Sequence, residues 1–498
     1  ASCLVGSEMC IRDRASTRLS SRQLECKKMT ELHWLEAHEA AELIATKQLT
    51  SLELTKALLN RIEKYDAGLN AFLTLRPDEA LEDAKKADEA VQKKEKIGAI
   101  HGVPFALKDI IDAADWPTTA HSRLFADNIA KNDAEVTMRL KRAGGILLGK
   151  LSTHEFALGG PSFDLPWPPA RNAWGRDYFP GGSSSGSGAA VAAGFVPIAL
   201  GTDTGGSVRN PASMNGLLGM KATYGRVSRR GVIPLSFSLD HVGPLTRTVR
   251  DNALALSIIS GFDEQDPGSS DVVTPNFSKY SGSGVKGLKI GVIKHFYQED
   301  MIASNEMSSG LENAFAVLAE NGAVLEEIKT RPLIDFATCN RIILLSEACA
   351  IHQNWLIERT DEYGESLLTR LLPGTAFNAV DYVQAVRTRA RYASEFNEFF
   401  KKFDAIVTVN NMEVAFPIED QAACEKYYSR QARTPFNVTG NPALAVPIGF
   451  DGDGLPMSMQ IVTNQFDEAM AYRIAACYES GTNWTKMHPD LDKTATLP

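Results

Sequence analysis

Apolar residues recur at helical spacing in several segments of the chain. Thr50 and Glu53 form a capping box ahead of SLELTKALLNRIEKY, in which leucine and isoleucine repeat every four residues, so this segment is predicted to form an amphipathic helix. Further helices are predicted for the polar segment after Pro77, for residues 133–143, for the segment around residues 311–318 and for FDEAMAYRIAACYE near the end of the chain.

Short apolar runs follow several of these helices and are typical of buried strands. The runs are GVPFALKDI, ILLGK, VPIALG, GVKGLKIGVIK, AVLEEI, PALAVPIGF and LPMSMQIV. Gly144, Gly145 and Gly322 separate helix from strand, as glycines at helix ends do. The alternation predicts an α/β fold with a mixed sheet. Residues 263–284, rich in Gly, Ser, Pro and Asp, are predicted to be either a linker or a long surface loop.

Composition and charge exclude several classes of protein. The chain has 498 residues, of which 44% are hydrophobic and 23% charged, as is usual for globular proteins. With 52 basic and 61 acidic residues it carries a net charge of −9 and has no basic stripe, so direct binding of nucleic acid is not expected. The longest apolar run, residues 189–201, is shorter than the roughly 20 residues of a membrane-spanning helix.

The first residues of the chain do not look like part of the folded protein. The opening ASCLVGSEMCIRDR has no signal-peptide core, and SEMCIRDR resembles a translated sequencing adapter, so we expect residues 1–28 to be a non-native or disordered extension before Met29.

The four later cysteines are far apart, which favours reduced thiols in a cytoplasmic protein. The nine histidines lack metal-ligand spacing, so no metal site is predicted, and His154 is interpreted as a hydrogen-bonded packing residue.

Glycine and serine are concentrated in PGGSSSGSGAAVAAG, from residue 180, and in TDTGGSVRNPASMNG, from residue 202. This density of glycine indicates sharp turns or a close approach of backbone to a ligand. The glycines do not have the spacing of a phosphate-binding loop. Ser184 is the centre of a GxSxG pattern, but an α/β-hydrolase needs an acid and later a histidine, whereas Asp240 lies directly beside His241.

Four motifs together resemble the amidase signature family: HGVPFALKDI, GGSSSGSGAAVAAG, GTDTGGSVRNPAS and LDHVGPLTRTV. The similarity extends from about Leu35 to Glu479. It implies an amidase signature fold, a large mixed β-sheet core covered by helices on both faces, with residues 29–498 as one domain and the signature at about residues 100–250. It also implies a catalytic triad of Lys108, Ser183 and Ser207, a cis peptide before Ser183, and no cofactor.

The implied triad gives each residue a chemical role. Ser207 would attack an amide carbonyl, and Ser183 would pass its proton to Lys108, which can be a base only if burial depresses its pKa by roughly 3 units. Asp109, the next residue on the strand, is expected to point away from Lys108. The oxyanion is expected to bind backbone N–H groups of the segment from Thr204 to Ser207, with Thr204, Gly205 and Gly206 as the main donors. Supporting roles are expected for Ser184, Asp203 and Arg209.

The sequence leaves alternatives open for the substrate pocket, the substrate and the partners. Phe163 and Trp167, in the proline-rich and aromatic segment 161–179, are candidates either for lining the pocket or for pinning a loop to the core. The leading hypothesis is a stand-alone amidohydrolase that cleaves a linear carboxamide in a small-molecule substrate. The alternatives are the glutamine-hydrolysing A subunit of a tRNA-dependent amidotransferase, which needs a partner subunit, and a catalytically idle binding protein. The sequence leaves a homodimer open.

Overall fold

The computed structural model describes residues 31–277 and 282–493, so the expectation for residues 1–28 lies outside the described residues. One mixed sheet of eleven strands runs through the described part of the chain, in the order β1-β3-β2-β4-β6-β5-β10-β11-β9-β7-β8. The strands are β1 (Phe72–Leu75), β2 (Pro104–Lys108), β3 (Ile146–Leu151), β4 (Ile198–Asp203), β5 (Leu218–Lys221), β6 (His241–Thr246), β7 (Lys289–Val292), β8 (Val324–Glu327), β9 (Ala405–Val409), β10 (Ala443–Phe450) and β11 (Pro456–Val462).

The described residues also form fourteen α-helices. They are α1 (Ala37–Ala45), α2 (Ser51–Tyr65), α3 (Pro77–Gln92), α4 (Glu135–Arg142), α5 (Ser185–Ala192), α6 (Arg209–Met214), α7 (Val249–Ile259), α8 (Asn305–Glu320), α9 (Leu333–Glu358), α10 (Glu365–Leu371), α11 (Ala379–Asn397), α12 (Gln421–Tyr428), α13 (Thr434–Thr439) and α14 (Glu468–Ser480). The α/β class and the large mixed sheet predicted from the sequence are therefore confirmed.

The predicted elements lie close to their observed bounds. The capping box of Thr50 and Glu53 is present at the start of α2, where the Thr50 hydroxyl accepts the Glu53 N–H. Each of the seven apolar runs contains a strand: β2, β3, β4, β7, β8, β10 and β11. The helices α9 to α11 were not predicted. Apolar residues such as Ile334 and Ile357 are exposed on α9, which obscures its helical period in the sequence.

Residues 263–284 connect α7 to β7 within the same sheet, because β7 is hydrogen-bonded to β9 and β8. Asp263 and Asp266 hold the first part of this connection by ion pairs to Arg230 and Arg229. The cysteines Cys339, Cys349, Cys424 and Cys477 are free thiols, the first and last of them buried. No helix among the described residues is long and apolar enough to cross a membrane.

The centre of the sheet is fully buried. Every residue of β2, β3, β4, β5, β6, β9 and β11 is buried. Helix α5, with the sequence SGSGAAVA, is also buried and packs against β4. A Cβ on Gly186 would lie 2.4 Å from the Ala71 carbonyl oxygen, so small residues are needed for this close packing. Part of the glycine-rich motif therefore serves the core rather than a ligand.

Candidate active site

Strand geometry brings the candidate catalytic residues together. β2 and β4 are adjacent and parallel, so their carboxyl ends lie at the same edge of the sheet. Lys108 is the last residue of β2, and β4 ends at Asp203, just before the loop that carries Ser207. Ser183 precedes α5, and the peptide bond between Gly182 and Ser183 is cis.

Lys108 is completely buried, and its hydrogen-bond partners among the described residues are two hydroxyl groups. Its Nζ donates to Ser183 Oγ and to Thr202 Oγ1, both at 2.8 Å. Burial lowers the pKa of Lys108 to about 7, although the carboxylates of Asp240 and Asp203 act in the opposite direction. A large fraction of Lys108 is therefore neutral near neutral pH and able to accept a proton.

Lys150 provides a comparison, because it is a second buried lysine close in the fold. Its Nζ forms an ion pair of 2.8 Å with the carboxylate of Asp109 and donates to the carbonyl of Pro117. Asp109 also accepts from the hydroxyl and N–H of Thr119. The carboxylate of Asp109 is thus paired with Lys150, and Lys108 has no ion pair among the described residues.

The loop that carries Ser207 leaves several backbone donors unused. Ser207 is buried with 8% of its surface exposed. Within the described ranges, the N–H groups of Thr204, Gly205 and Ser207 donate to no other group. The N–H of Gly206 instead donates to Asp203 Oδ1 at 2.9 Å. Asp203 thus takes the N–H of Gly206, and the donors of the expected segment that remain available are those of Thr204, Gly205 and Ser207; their binding of an oxyanion stays a prediction.

Ser183 and Ser207 are neighbours, but their hydroxyl groups are not joined by a hydrogen bond in the structure described. The backbone links them instead, since the Ser184 N–H donates to the Ser207 carbonyl at 3.3 Å. Hydrogen bonds between catalytic groups are often long or poorly aligned before the substrate binds. The transfer of a proton from Ser207 to Ser183 remains a prediction.

Asp203 and Arg209 form a buried ion pair that holds this loop. Two contacts join the guanidinium to the carboxylate, at 3.1 and 3.0 Å, and neither side chain is exposed. Burial raises the pKa of Asp203, but Arg209 and the amide of Asn437 outweigh it and hold this pKa far below its usual range. The ionised carboxylate also accepts the N–H groups of Gly206 and Val208. These contacts fix the backbone on both sides of the nucleophile.

Ser184, the centre of the GxSxG pattern, is a structural residue here. Its buried Oγ donates to the Thr202 carbonyl and accepts the Thr202 N–H, which ties the start of α5 to β4. His241, the histidine of the α/β-hydrolase alternative, contacts Lys221 and the carbonyls of Asp203 and Leu239 instead. The structure therefore gives no support to a Ser184–His241 pair.

Three residues near the triad were not identified from the sequence as parts of the site. Thr202 binds Lys108, and Asp240 accepts the Thr204 hydroxyl at 2.6 Å. Arg433 lies against Gly206. Asp240 and Thr202 stand in two of the quoted motifs, LDHVGPLTRTV and GTDTGGSVRNPAS, whereas Arg433 stands outside all four.

His154 differs from the sequence interpretation. It is buried, as expected of a packing residue, and its ring lies 5.9 Å from that of Phe179 and 6.0 Å from that of Tyr428. However, neither ring nitrogen has a hydrogen-bond partner within the described ranges. Burial, reinforced by the charges of Lys108 and Arg370, places the pKa of His154 well below its usual value, so the ring is neutral.

Phe163 and Trp167 lie on the loop that precedes the serine motif. Phe163 is 53% exposed, with the guanidinium carbon of Arg171 at 5.8 Å from its ring centre. Trp167 is half-buried and its carbonyl contacts Nε2 of His121 at 3.0 Å. Neither ring lines the small cavity beside His154 that this loop helps to close. A role of these two residues in binding substrate stays a prediction.

One cluster of polar side chains outside the triad has metal-ligand character. Ligand atoms of Glu36, His38 and Asp251 lie within 4.8 Å of one another. The Asp251 carboxylate accepts the N–H groups of Ala37 and His38, at 2.5 and 3.0 Å. These contacts at the start of α1 account for the cluster as helix capping.

Comparisons with known proteins agree with this geometry. The family described as Amidase matches residues 53–471. The A subunit of a glutamyl-tRNA(Gln) amidotransferase from Clostridium botulinum is 37% identical over 485 residues, which cover 91% of this chain and 99% of that protein. The solved structure of a glutamyl-tRNA(Gln) amidotransferase A subunit from Thermotoga maritima has a TM-score of 0.79 at 32% identity and covers 92% of this chain and 98% of its own.

A bacterial aryl acylamidase that belongs to the amidase signature enzymes superposes with a TM-score of 0.85 at 25% identity. The match covers 94% of this chain and 99% of that one. The family match spans most of the chain and includes Lys108, Ser183 and Ser207. This chain therefore belongs to the amidase signature family of enzymes.

Proposed function

We propose that this protein hydrolyses a linear carboxamide through an acyl-enzyme on Ser207. The observation that carries the proposal is the environment of Lys108: a buried amine without an ion pair in the described structure, hydrogen-bonded to Ser183, with a pKa of about 7. A serine hydroxyl needs such a base because it is a weak nucleophile at neutral pH.

The first step would be the attack of Ser207 Oγ on the amide carbon. As the C–O bond forms, the proton of Ser207 moves to Ser183 Oγ, whose own proton moves to Nζ of Lys108. The negative charge on the carbonyl oxygen would meet the free N–H groups of Thr204, Gly205 and Ser207, which need no reorganisation at that moment.

Collapse of the tetrahedral intermediate would then break the C–N bond. The proton stored on Lys108 returns through Ser183 to the leaving nitrogen, which departs as ammonia or an amine. Water attacks the ester at Ser207 in the second half of the reaction, and the same three residues move its proton. The acid is released and Lys108 is again neutral.

A second candidate is the A subunit of a tRNA-dependent amidotransferase, in which this chemistry would release ammonia from glutamine. It is favoured by the 37% identity that extends over 99% of the Clostridium botulinum protein. This function would require a partner subunit. The reactions at Ser207 are the same in both cases, so the two candidates differ in substrate and assembly rather than in the triad.

The experiment is to measure ammonia or amine release by the purified full chain from glutamine, aliphatic amides and aryl amides. Ser207→Ala should abolish turnover, and Lys108→Ala and Ser183→Ala should each reduce kcat by orders of magnitude. Ser187→Ala is the matched control, because its buried Oγ donates to the Leu200 carbonyl and takes no part in the triad.

Three outcomes separate the hypotheses. Turnover of simple amides that is lost in Ser207→Ala supports the amidohydrolase. Cleavage of glutamine alone, or only in the presence of an added partner subunit, supports the amidotransferase reading. If Ser207 is not labelled by an acylating probe and no amide is cleaved, the chain is a binding protein and the proposed function is wrong.

A further inference from the structure

The two glycines that precede the catalytic serines each leave room for a buried polar side chain. A Cβ on Gly182, next to Ser183, would lie 2.1 Å from Cε1 of His154. A Cβ on Gly206, next to Ser207, would lie 2.3 Å from Nε of Arg433. Both side chains therefore lie against the backbone of the residue directly before a reacting serine.

Arg433 has an unused binding capacity. The residue is only 3% exposed, and its Nε and Nη1 have no hydrogen-bond partner within the described ranges. The Asp203 carboxylate is already bound by Arg209 and Asn437. A buried guanidinium without a counter-ion is strongly unfavourable, and an incoming anion would relieve this cost.

The backbone of Arg433 is held firmly. Its carbonyl accepts from Nη1 of Arg209 at 2.9 Å, and its N–H donates to Oε1 of Gln431. Since Arg209 is itself bound to Asp203, the same network fixes both the nucleophile loop and Arg433. The backbone from which the guanidinium extends is therefore fixed relative to the loop of Ser207, which limits the positions that this side chain can take.

A second cation acts on the same side chain as Arg433, the phenol of Tyr428: burial raises the pKa of Tyr428, and the charges of Arg433 and Arg370 both act in the opposite direction. The guanidinium of Arg370 lies 5.6 Å from the ring of Tyr428 and has no ion pair among the described residues. Burial lowers the pKa of Arg433 to about 9, so this side chain is still mostly protonated at neutral pH. His154 is neutral and adds no counter-charge.

We propose that Arg433 binds an anionic group that the substrate carries close to the scissile amide, about two or three bonds from the carbonyl carbon, as in the monoamides of short dicarboxylic acids. The short separation follows from the contact with Gly206, the residue directly before the nucleophile. A carboxylate fits best, because the planar guanidinium can donate two parallel hydrogen bonds to it. The inference rests on the proposed reaction at Ser207.

The test compares pairs of amides that differ by one charge. Malonamate is compared with propionamide, succinamate with butyramide, and glutamine is included because its carboxylate is more distant. For the wild type, kcat/KM should be higher for the charged member of each pair. Arg433→Met should lower kcat/KM for the charged amides by about 30- to 1,000-fold, as expected when one partner of a buried charge pair is lost, and should change it little for the neutral ones.

Two further variants control this comparison. Arg433→Lys keeps the charge without the planar fork and should recover part of the preference. Arg389→Met removes a cation that also contacts α13, through the Val438 carbonyl at 3.1 Å, and should leave the preference unchanged. Melting temperatures of all variants show whether a loss reflects unfolding.

A wild-type measurement keeps the proposal testable if the variants do not fold. Malonate and succinate should slow the labelling of Ser207 by a neutral activated ester much more than acetate does. Equal kcat/KM for charged and neutral amides, a preference for glutamine over both short acidic amides, or no protection by the dicarboxylates would each overturn the role of Arg433. Turnover would still be present in those cases, whereas failure of the proposed function would abolish turnover and labelling altogether.

Discussion

The pH dependence of the reaction is a direct consequence of the buried position of Lys108. If the neutral amine is the base, kcat/KM follows the fraction of Lys108 that is unprotonated in the free enzyme. With a pKa of about 7, this fraction is about 9% at pH 6 and about 91% at pH 8. We therefore expect kcat/KM to rise about tenfold over these two pH units and to level off above pH 8.

The same residue affects stability. The folded pKa of about 7 lies below the ordinary value of 10.5, so the unfolded chain binds more protons between these two pH values. The contribution of Lys108 to the free energy of unfolding thus rises with pH across this window, by on the order of 5 kcal/mol in total. Lys108→Met removes the ionisable group, and its stability should lose this part of the pH dependence.

The assay is kcat/KM for a neutral amide between pH 5 and 10, together with urea unfolding of wild type and Lys108→Met at the same pH values. Lys150→Met is the matched control for the pH profile of activity, because Lys150 is equally buried but forms an ion pair with Asp109. A flat rate profile from pH 6 to 8, or a rise centred near pH 10, would refute the assignment of Lys108 as the neutral base.

Three other changes test the packing around the site. Asp203→Asn leaves Arg209 as a buried charge without its counter-ion, and urea unfolding should show a loss of about 3 to 5 kcal/mol; a loss below 1 kcal/mol would contradict the role of this pair. Gly182→Ala should lower the free energy of unfolding by about 1 to 3 kcal/mol in urea unfolding, because the new Cβ would collide with the ring of His154. Adding His154→Ala to the same chain should restore much of this loss. Burial raises the pKa of Glu155 from its ordinary value of 4.5 to about 7, so the contribution of this carboxyl group to the free energy of unfolding falls as the pH rises through this range. The melting temperature of Glu155→Gln relative to that of wild type should therefore be higher at pH 8 than at pH 4, and the opposite trend would contradict this prediction.

Local patterns in the sequence were enough to predict the α/β class and much of the sheet. The capping box before α2 and the apolar runs of β2, β4 and β10 depend on residues close together in the chain, so they can be read without tertiary information. The serine and glycine motifs likewise pointed to the triad through their resemblance to a family. The cis peptide before Ser183 is present where that resemblance implied it.

The helices α9 to α11 and the edge strand β1 were not predicted. Which of their faces is buried depends on the segments that pack against them. Exposed apolar residues such as Val380 and Val383 on α11 obscure the helical repeat of apolar positions in the sequence. For such segments the sequence period is a weak guide, because burial is decided by contacts between segments distant in the chain.

The electrostatic state of the site depends on the tertiary structure alone. Lys108 and Lys150 both lie in buried strands, yet within the described ranges a carboxylate partner is present for Lys150 alone. In the same way, the Gly206 N–H, which was expected to bind the oxyanion, donates to Asp203. Arg433 reaches Gly206 from 227 residues away, and its Nε and Nη1 have no hydrogen-bond partner in the part of the chain that the structure describes. The sequence determined which chemical groups are available. Their charge, and the donors that stay unpaired, follow from burial and from partners that only folding brings within hydrogen-bonding distance.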